Sequence, residues 1–194
     1  MNKRFDLINY YIKKYNFKSF LEIGVFEGET QRTVVCEKKI SVDPDKNTNP
    51  TCLLTSDEFF KIFTDKFDII FIDGLHEYSQ VDRDIKNSLN HLNIGGVIIM
   101  HDCHPIDEAC QRHSLTYPGG EWTGDCWKAY VKNRAELPYE MYVWDNDWGC
   151  GVIDTNKKKV SDTSKLPVDM DKMTYQDFIS NPEWMNFMKE IPKD

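Results

Sequence analysis

An α/β fold built around a mostly parallel sheet is what this sequence predicts, on three observations. Short apolar runs alternate with amphipathic helical stretches along most of the chain. The strongest apolar run, residues 67–73, is continuous rather than alternating, as in a strand covered on both faces. Acidic residues and glycines gather where the strands end, which is where open α/β sheets bind ligands.

The elements follow in order. Residues 5–15 carry Phe5, Leu7, Ile8, Tyr11, Ile12 and Tyr15 at helical spacing. Residues 19–23 read as the first strand, ending in a glycine-bearing turn before a helix near 29–38. Residues 39–43 form a second strand closed by Pro44, and 51–55 a third. A short helix starts from Ser56 as its N-cap. Residues 67–73 are the fourth strand, and 78–92 a helix with Val81, Ile85, Leu89 and Leu92 on one side. Gly95-Gly96 introduces the fifth strand, 97–101. The proline- and glycine-bearing stretch 101–125 reads as loop, and a helix follows at 127–137. Residues 139–144 and 149–154 flank Asp145-Asn146-Asp147-Trp148, an antiparallel hairpin at the sheet edge. Lys157-Lys158-Lys159 is read as a solvated turn. The tail is then helical around 175–188, where Phe178, Trp184, Phe187 and Met188 can dock.

The 194 residues suit one domain, 1–156, with a C-terminal extension, 157–194, packed on it. The net charge of −8 repels phosphate backbones and disfavours a nucleic-acid partner. No apolar run approaches the roughly 20 residues that cross a bilayer. The first residues lack the apolar core of a signal peptide, so a soluble, cytoplasmic protein is expected. Six cysteines without CxxC spacing are expected to be free thiols.

Chemistry concentrates at the strand ends. In Glu22-Ile23-Gly24-Val25-Phe26-Glu27-Gly28 a strand runs into a turn with glycines four apart. A dinucleotide fingerprint needs glycine at offsets 0, 2 and 5, where this chain has Gly24, Phe26 and Glu29. Glu22 is instead placed to bond an amino group, and the competing reading is a plain strand–helix turn. Asp43 ends the second strand, placed for both hydroxyls of a ribose or as a turn residue before Pro44. Ser56-Asp57 ends the third, to meet an adenine edge or to cap the helix.

In that order, Glu22-x-Gly24-x-x-x-Gly28, Asp43, Ser56-Asp57 and Asp73 resemble the class I S-adenosylmethionine-dependent methyltransferases. Phe71-Ile72-Asp73-Gly74-Leu75-His76-Glu77-Tyr78, Asp82-x-Asp84 and residues 95–103 look like small-molecule and sugar O-methyltransferases of the methyltransferase domain 24 type. Residues 124–130 and 147–153 are similar to that subgroup too. The resemblance spans about residues 18–154. It implies a Rossmann-like seven-stranded sheet, order 3-2-1-4-5-7-6 with the last strand antiparallel and helices on both faces. It also implies methyl transfer from S-adenosylmethionine, held by Glu22, Gly24, Val25, Phe26, Gly28, Asp43, Ser56, Asp57 and Asp73.

Catalytic candidates lie beyond the fourth and fifth strands. His76, three residues past Asp73, is placed as general base, or else caps the following helix. Asp73, His101 and Asp102 form a candidate site for a divalent metal, Mg²⁺ or Mn²⁺. Metal-dependent relatives have two adjacent acidic residues where this chain has His101-Asp102. Without a metal, Asp73 and Asp102 would contact cofactor and acceptor. The scattered Cys103, His104, Cys110 and His113 lack zinc spacing. Trp122, Trp127, Trp144 and Trp148 read as core or hairpin residues, with Trp122 or Tyr117 as a platform if either faces the pocket.

The expectation is therefore an O-methyltransferase acting on a small molecule or glycan unit, with residues 103–125 as a lid that shapes acceptor specificity. Two alternatives stand beside it: an S-adenosylmethionine-binding module without activity, and a nicotinamide-dependent oxidoreductase.

Overall fold

The structure, a computed structural model, describes residues 3–112, 120–167 and 169–191. Helix α1 (Arg4–Tyr15) leads into β1 (Ser19–Ile23), α2 (Glu29–Thr33), β2 (Lys38–Asp43), β3 (Cys52–Leu53) and α3 (Ser56–Ile62). Then come β4 (Phe67–Ile72), α4 (Tyr78–Asn90), β5 (Leu92–Met100), α5 (Cys126–Glu136), β6 (Tyr139–Trp144) and β7 (Cys150–Lys158). Helix α6 (Tyr175–Ser180) and β8 (Phe187–Met188) complete the chain.

One sheet runs β3-β2-β1-β4-β5-β7-β6-β8. The five strands β1 to β5 are mutually parallel, while β7 is antiparallel to both β5 and β6. The expected order thus holds with an eighth strand added. Phe187 and Met188 pair in parallel with Val143 and Trp144 along the outer edge of β6. The helix expected over 175–188 stops at Ser180 because Pro182 excludes Asn181 from helical backbone and starts a new 3-10 turn. Asn186 at φ 49° then turns the chain into β8.

Apolar strand residues fill both faces. One core packs β-strand residues such as Leu21, Ile70 and Ile98 under Phe59 of α3, Ile85 of α4 and Trp127 of α5. The other packs Phe20, Phe71, Ile99 and Trp144 under Leu7, Ile8 and Tyr11 of α1. The α2 helix ends at Thr33, five residues short of the expected 38, where the β-branched run Thr33-Val34-Val35 leaves helical backbone. The α3 cap is Thr55, not Ser56: Glu58 N donates to Thr55 Oγ1 (3.2 Å), and Thr55 N donates back to Glu58 Oε2 (2.9 Å). Strand β7 runs on through Lys158, and Lys159 Nζ donates to the Arg134 and Ala135 carbonyls at the end of α5 rather than standing in solvent. Among the described residues, no helix is long and apolar enough to cross a membrane.

Candidate active site

The carboxyl ends of β1, β2, β4 and β5 open into a cavity of about 1000 Å³. Its shape depends on one glycine in particular. Gly24 takes φ +85°, and a Cβ there would lie 2.0 Å from the Asp73 carbonyl oxygen, so the β1 turn can lie against the β4 end only without a side chain. Gly24 N donates to Val42 O and Asp73 N to Ile23 O, locking the three strand ends together.

Glu22, Gly24, Val25, Phe26, Asp43, Ser56, Asp57 and Asp73 all line this cavity, whereas Gly28 shapes the turn behind it as the left-handed N-cap of α2. Glu22 is buried, and its Oε2 has no hydrogen-bond partner. Burial, reinforced by Asp73, pushes its carboxyl up to about 8. Asp43 is the last residue of β2. It faces the cavity, and it accepts from Val25 N (2.8 Å, Oδ2) and Asp45 N (2.8 Å, Oδ1), holding the two turns. Gln80 of α4, which sequence reasoning passed over, also lines the wall beside Ser56 and Asp57.

At the other end, carboxylates and imidazoles alternate. His76 Nδ1 is 3.1 Å from Asp102 Oδ2, and His76 Nε2 is 3.4 Å from Asp73 Oδ1. His101 Nδ1 is 3.2 Å from Asp73 Oδ1 and 3.3 Å from Asp102 Oδ1. The His76 ring stacks on Trp122, with centroids 4.9 Å apart. His76 does not cap α4; Glu77 occupies that position, and Asp125 Oδ1 accepts from Tyr78 N at 2.6 Å. Gly124, with φ +55°, lets this loop pass over His76: a Cβ there would fall 1.6 Å from the His76 carbonyl oxygen.

Burial works against the charged forms of Asp73, His76 and His101, and the neighbours outweigh it. His101 and His76 hold the Asp73 carboxyl well below the usual carboxylate range. Asp73 and Asp102 raise both imidazoles, His101 most strongly. Asp73, His76 and Asp102 each bring one donor atom within 4.8 Å of the others, and His101, named with Asp73 and Asp102 from the sequence, meets the same two carboxylates through Nδ1. With Nδ1 on those carboxylates, the His101 ring turns its Nε2 toward Asp147 Oδ2, 3.7 Å away.

Arg4 and Asp147 were missed by sequence reasoning. Asp147 accepts from Arg4 N (2.8 Å) and Arg4 Nη1 (3.1 Å), while Arg4 Nε reaches Thr30 Oγ1 (3.1 Å) and approaches Asp73 Oδ2 (3.8 Å). One signal existed: an arginine in the first turn of a helix opposes the helix dipole, so it needs an acidic partner elsewhere. Asp147 sits in the hairpin turn with Trp148 and Gly149, all three at positive φ. Trp122 and Trp148 line the cavity, whereas Trp127 and Trp144 are core residues. Tyr117 and His113 lie outside the described residues. Cys103 is buried, and His104 pairs with Asp145 Oδ1 at 2.6 Å.

Residues 44–103 match the sequence profile of a family described as methyltransferase domain, a span that holds Asp57, Asp73, His76, His101 and Asp102. A Staphylococcus aureus protein designated a caffeoyl-CoA O-methyltransferase superposes with a TM-score of 0.61 at 18% identity, over 77% of this chain and 82% of its own. The fold is that of the class I methyltransferases. An O-methyltransferase from Bacillus cereus, in complex with SAH, superposes at 0.55 with 13% identity, over 78% of this chain and 80% of its own. An SAH-bound methyltransferase from Podospora anserina gives 0.52 and 16%, over 82% and 80%. No curated protein matches the chain in sequence. The methyltransferase fold places the cavity at the switch in strand order between β1 and β4, where α/β sheets bind ligands.

Proposed function

We propose that the protein is an S-adenosylmethionine-dependent O-methyltransferase acting on a hydroxyl of a small molecule or glycan unit. One observation carries this reading: a single cavity joins the unpartnered buried oxygen of Glu22 to the imidazole of His76, and extends past Asp43 to Ser56 and Asp57. An orphaned buried carboxyl oxygen fits the ammonium of an amino-acid moiety, and so the residues suit this cofactor. When bound, S-adenosylmethionine supplies a methyl group activated by a positive sulfonium.

The chain's own residues do the rest. Glu22 accepts from the ammonium, and the turn from Gly24 to Gly28 gives backbone room beside it. Asp43 offers the ribose hydroxyls the lone pairs left free by Val25 N and Asp45 N. Ser56 and Asp57 face the base. His76 removes the acceptor's proton, and Asp73 and Asp102 stabilise the imidazolium that results. Trp122 and Trp148 wall off water and offer an apolar face to the acceptor. Gly120, Glu121 and Trp122, the described part of the expected 103–125 lid that lines the cavity, stand on the acceptor side. The acidic balance of the chain supports a small-molecule partner over nucleic acid or an anionic membrane surface. The nicotinamide reading is disfavoured by Phe26 and Glu29, which line the cavity where a dinucleotide needs glycine.

The test is release of S-adenosylhomocysteine across a panel of sugar and phenolic acceptors. His76→Gln is expected to lower the rate at least about 100-fold while leaving S-adenosylhomocysteine affinity within about threefold. Because its neighbours raise His76, the wild-type rate should climb with pH to a midpoint above the usual histidine value of about 6.5. Tight binding of NAD and none of S-adenosylhomocysteine would overturn the reading. Binding without transfer to any acceptor would favour an inactive binding module.

Metal-assisted transfer is the second reading, favoured by the convergence of Asp73, His76 and Asp102. Two carboxylates and an imidazole suit Mn²⁺, or Mg²⁺ with added waters. When bound, such an ion would acidify the acceptor hydroxyl, and His76 would then be a ligand instead of a base. Loss of activity with EDTA, restored by Mn²⁺, is its expected outcome; full activity in EDTA supports His76 as base.

A further inference from the structure

The pattern Asp82-x-Asp84 on α4 is not used by the chemistry above, and its two carboxylates do different things. Asp82 accepts from Lys86 Nζ (2.8 Å), Lys132 Nζ (2.9 Å) and Asn133 Nδ2 (2.9 Å), tying α4 to α5. Asp84 makes no such tie. It is 1% exposed, and its Oδ1 accepts from Gln80 Nε2 at 3.1 Å, while the Ser56 hydroxyl also donates to it.

Gln80 lines the cavity. Its amide nitrogen also donates to Ser56 Oγ (3.2 Å) and reaches Asp57 Oδ1 (3.4 Å), and its oxygen accepts from Arg83. A carboxylate can only accept, so Asp84 fixes which way the Gln80 amide points, nitrogen toward Ser56 and Asp57, oxygen toward Arg83. Arg83 Nε lies 3.6 Å from the other oxygen of Asp57. Asp57, half exposed at the cavity wall, is therefore steered on both oxygens by groups that Asp84 orders.

We infer that Asp84 is a positioning residue which, through Gln80, aims Asp57 at the exocyclic amino group of the cofactor's purine and makes the site select amino-purine over oxo-purine nucleosides. This rests on the cofactor reading above. An amino group at C6 donates to a carboxylate, whereas an oxo group sets lone pair against lone pair. The ionised form of Asp84 is held by hydrogen bonds from Ser56 and Gln80 against the burial that pushes it up to about 6.

The test is calorimetric affinity of the full chain for S-adenosylhomocysteine and S-inosylhomocysteine, which differ at that position. The wild type is expected to prefer the adenosyl compound at least about tenfold. Asp84→Ala, and Gln80→Leu at a less buried position should the first variant fail to fold, are expected to cut that preference at least about fivefold by weakening the adenosyl compound alone. A residue with only a structural role would weaken both ligands together, and that outcome, or an unchanged preference in either folded variant, overturns the inference. A wild type that binds neither ligand overturns the cofactor reading itself.

Discussion

A carboxyl group buried like that of Glu22, with one oxygen unpartnered, stays protonated at neutral pH and ionises when a cation arrives. Its folded-state value of about 8 lies above the unfolded value, so the folded protein binds this proton more tightly. The associated stability is present below about pH 4.5 and is lost as pH rises through about 8. Glu22→Gln should therefore unfold at a higher temperature than the wild type at pH 9, by the equivalent of ~1–3 kcal/mol, yet bind S-adenosylhomocysteine at least about tenfold more weakly. Thermal unfolding and calorimetry at that pH read both effects. Glu22, Asp43, Ser56, Asp57, Asp73 and His76 could be named from the sequence because each lies at or just beyond a strand end that the hydrophobic pattern locates. Arg4 and Gln80 were not: each belongs to a helix, and its partner is set by how helices dock.

Among the elements, β1, β4 and α4 could be placed from apolar runs and helical spacing, and α3 from its capping residues to within one position. Strand β8 could not. Two residues carry no periodicity, and their pairing with β6 depends on contacts far along the chain. Arg134 of α5 makes that pairing possible: its Nη1 donates to the carbonyls of Glu183 and Trp184, both at 2.8 Å, and anchors the turn before β8. Arg134→Met is expected to cost ~2–4 kcal/mol, since it leaves two carbonyls without their charged donor. Hydrogen exchange would report it as faster exchange at residues 184–188 and along the outer edge of β6, with β1 and β4 unaffected.

For the molecule as a whole, the paired charges under the cavity predict the pH range of greatest stability. Asp73 and Asp147 are held below their ordinary values, so their contribution is present above the unfolded carboxylate value of about 4 and fades as pH falls further. His76 and His101 are raised, so theirs is complete below about pH 6.5 and is lost as pH rises through their folded-state values. Glu22 adds to the alkaline loss. The melting temperature should therefore be highest between about pH 4 and 6.5 and decline toward pH 9. A melting temperature that rises from pH 6.5 to 9 would contradict this arrangement of charges.

The amino-acid sequence by itself determined the layered α/β architecture and the acidic strand ends, because apolar periodicity and turn residues act over a few neighbours, while the strand order through β7 was implied by the resemblance of its motifs to the class I methyltransferases. Only tertiary structure decided that His76 joins His101 in facing both Asp73 and Asp102, that Arg4 and Asp147 close the site from opposite ends of the chain, and that an eighth strand covers β6. Those outcomes depend on which side chains compete for the same buried space, and that competition exists only once the sheet has brought distant segments together.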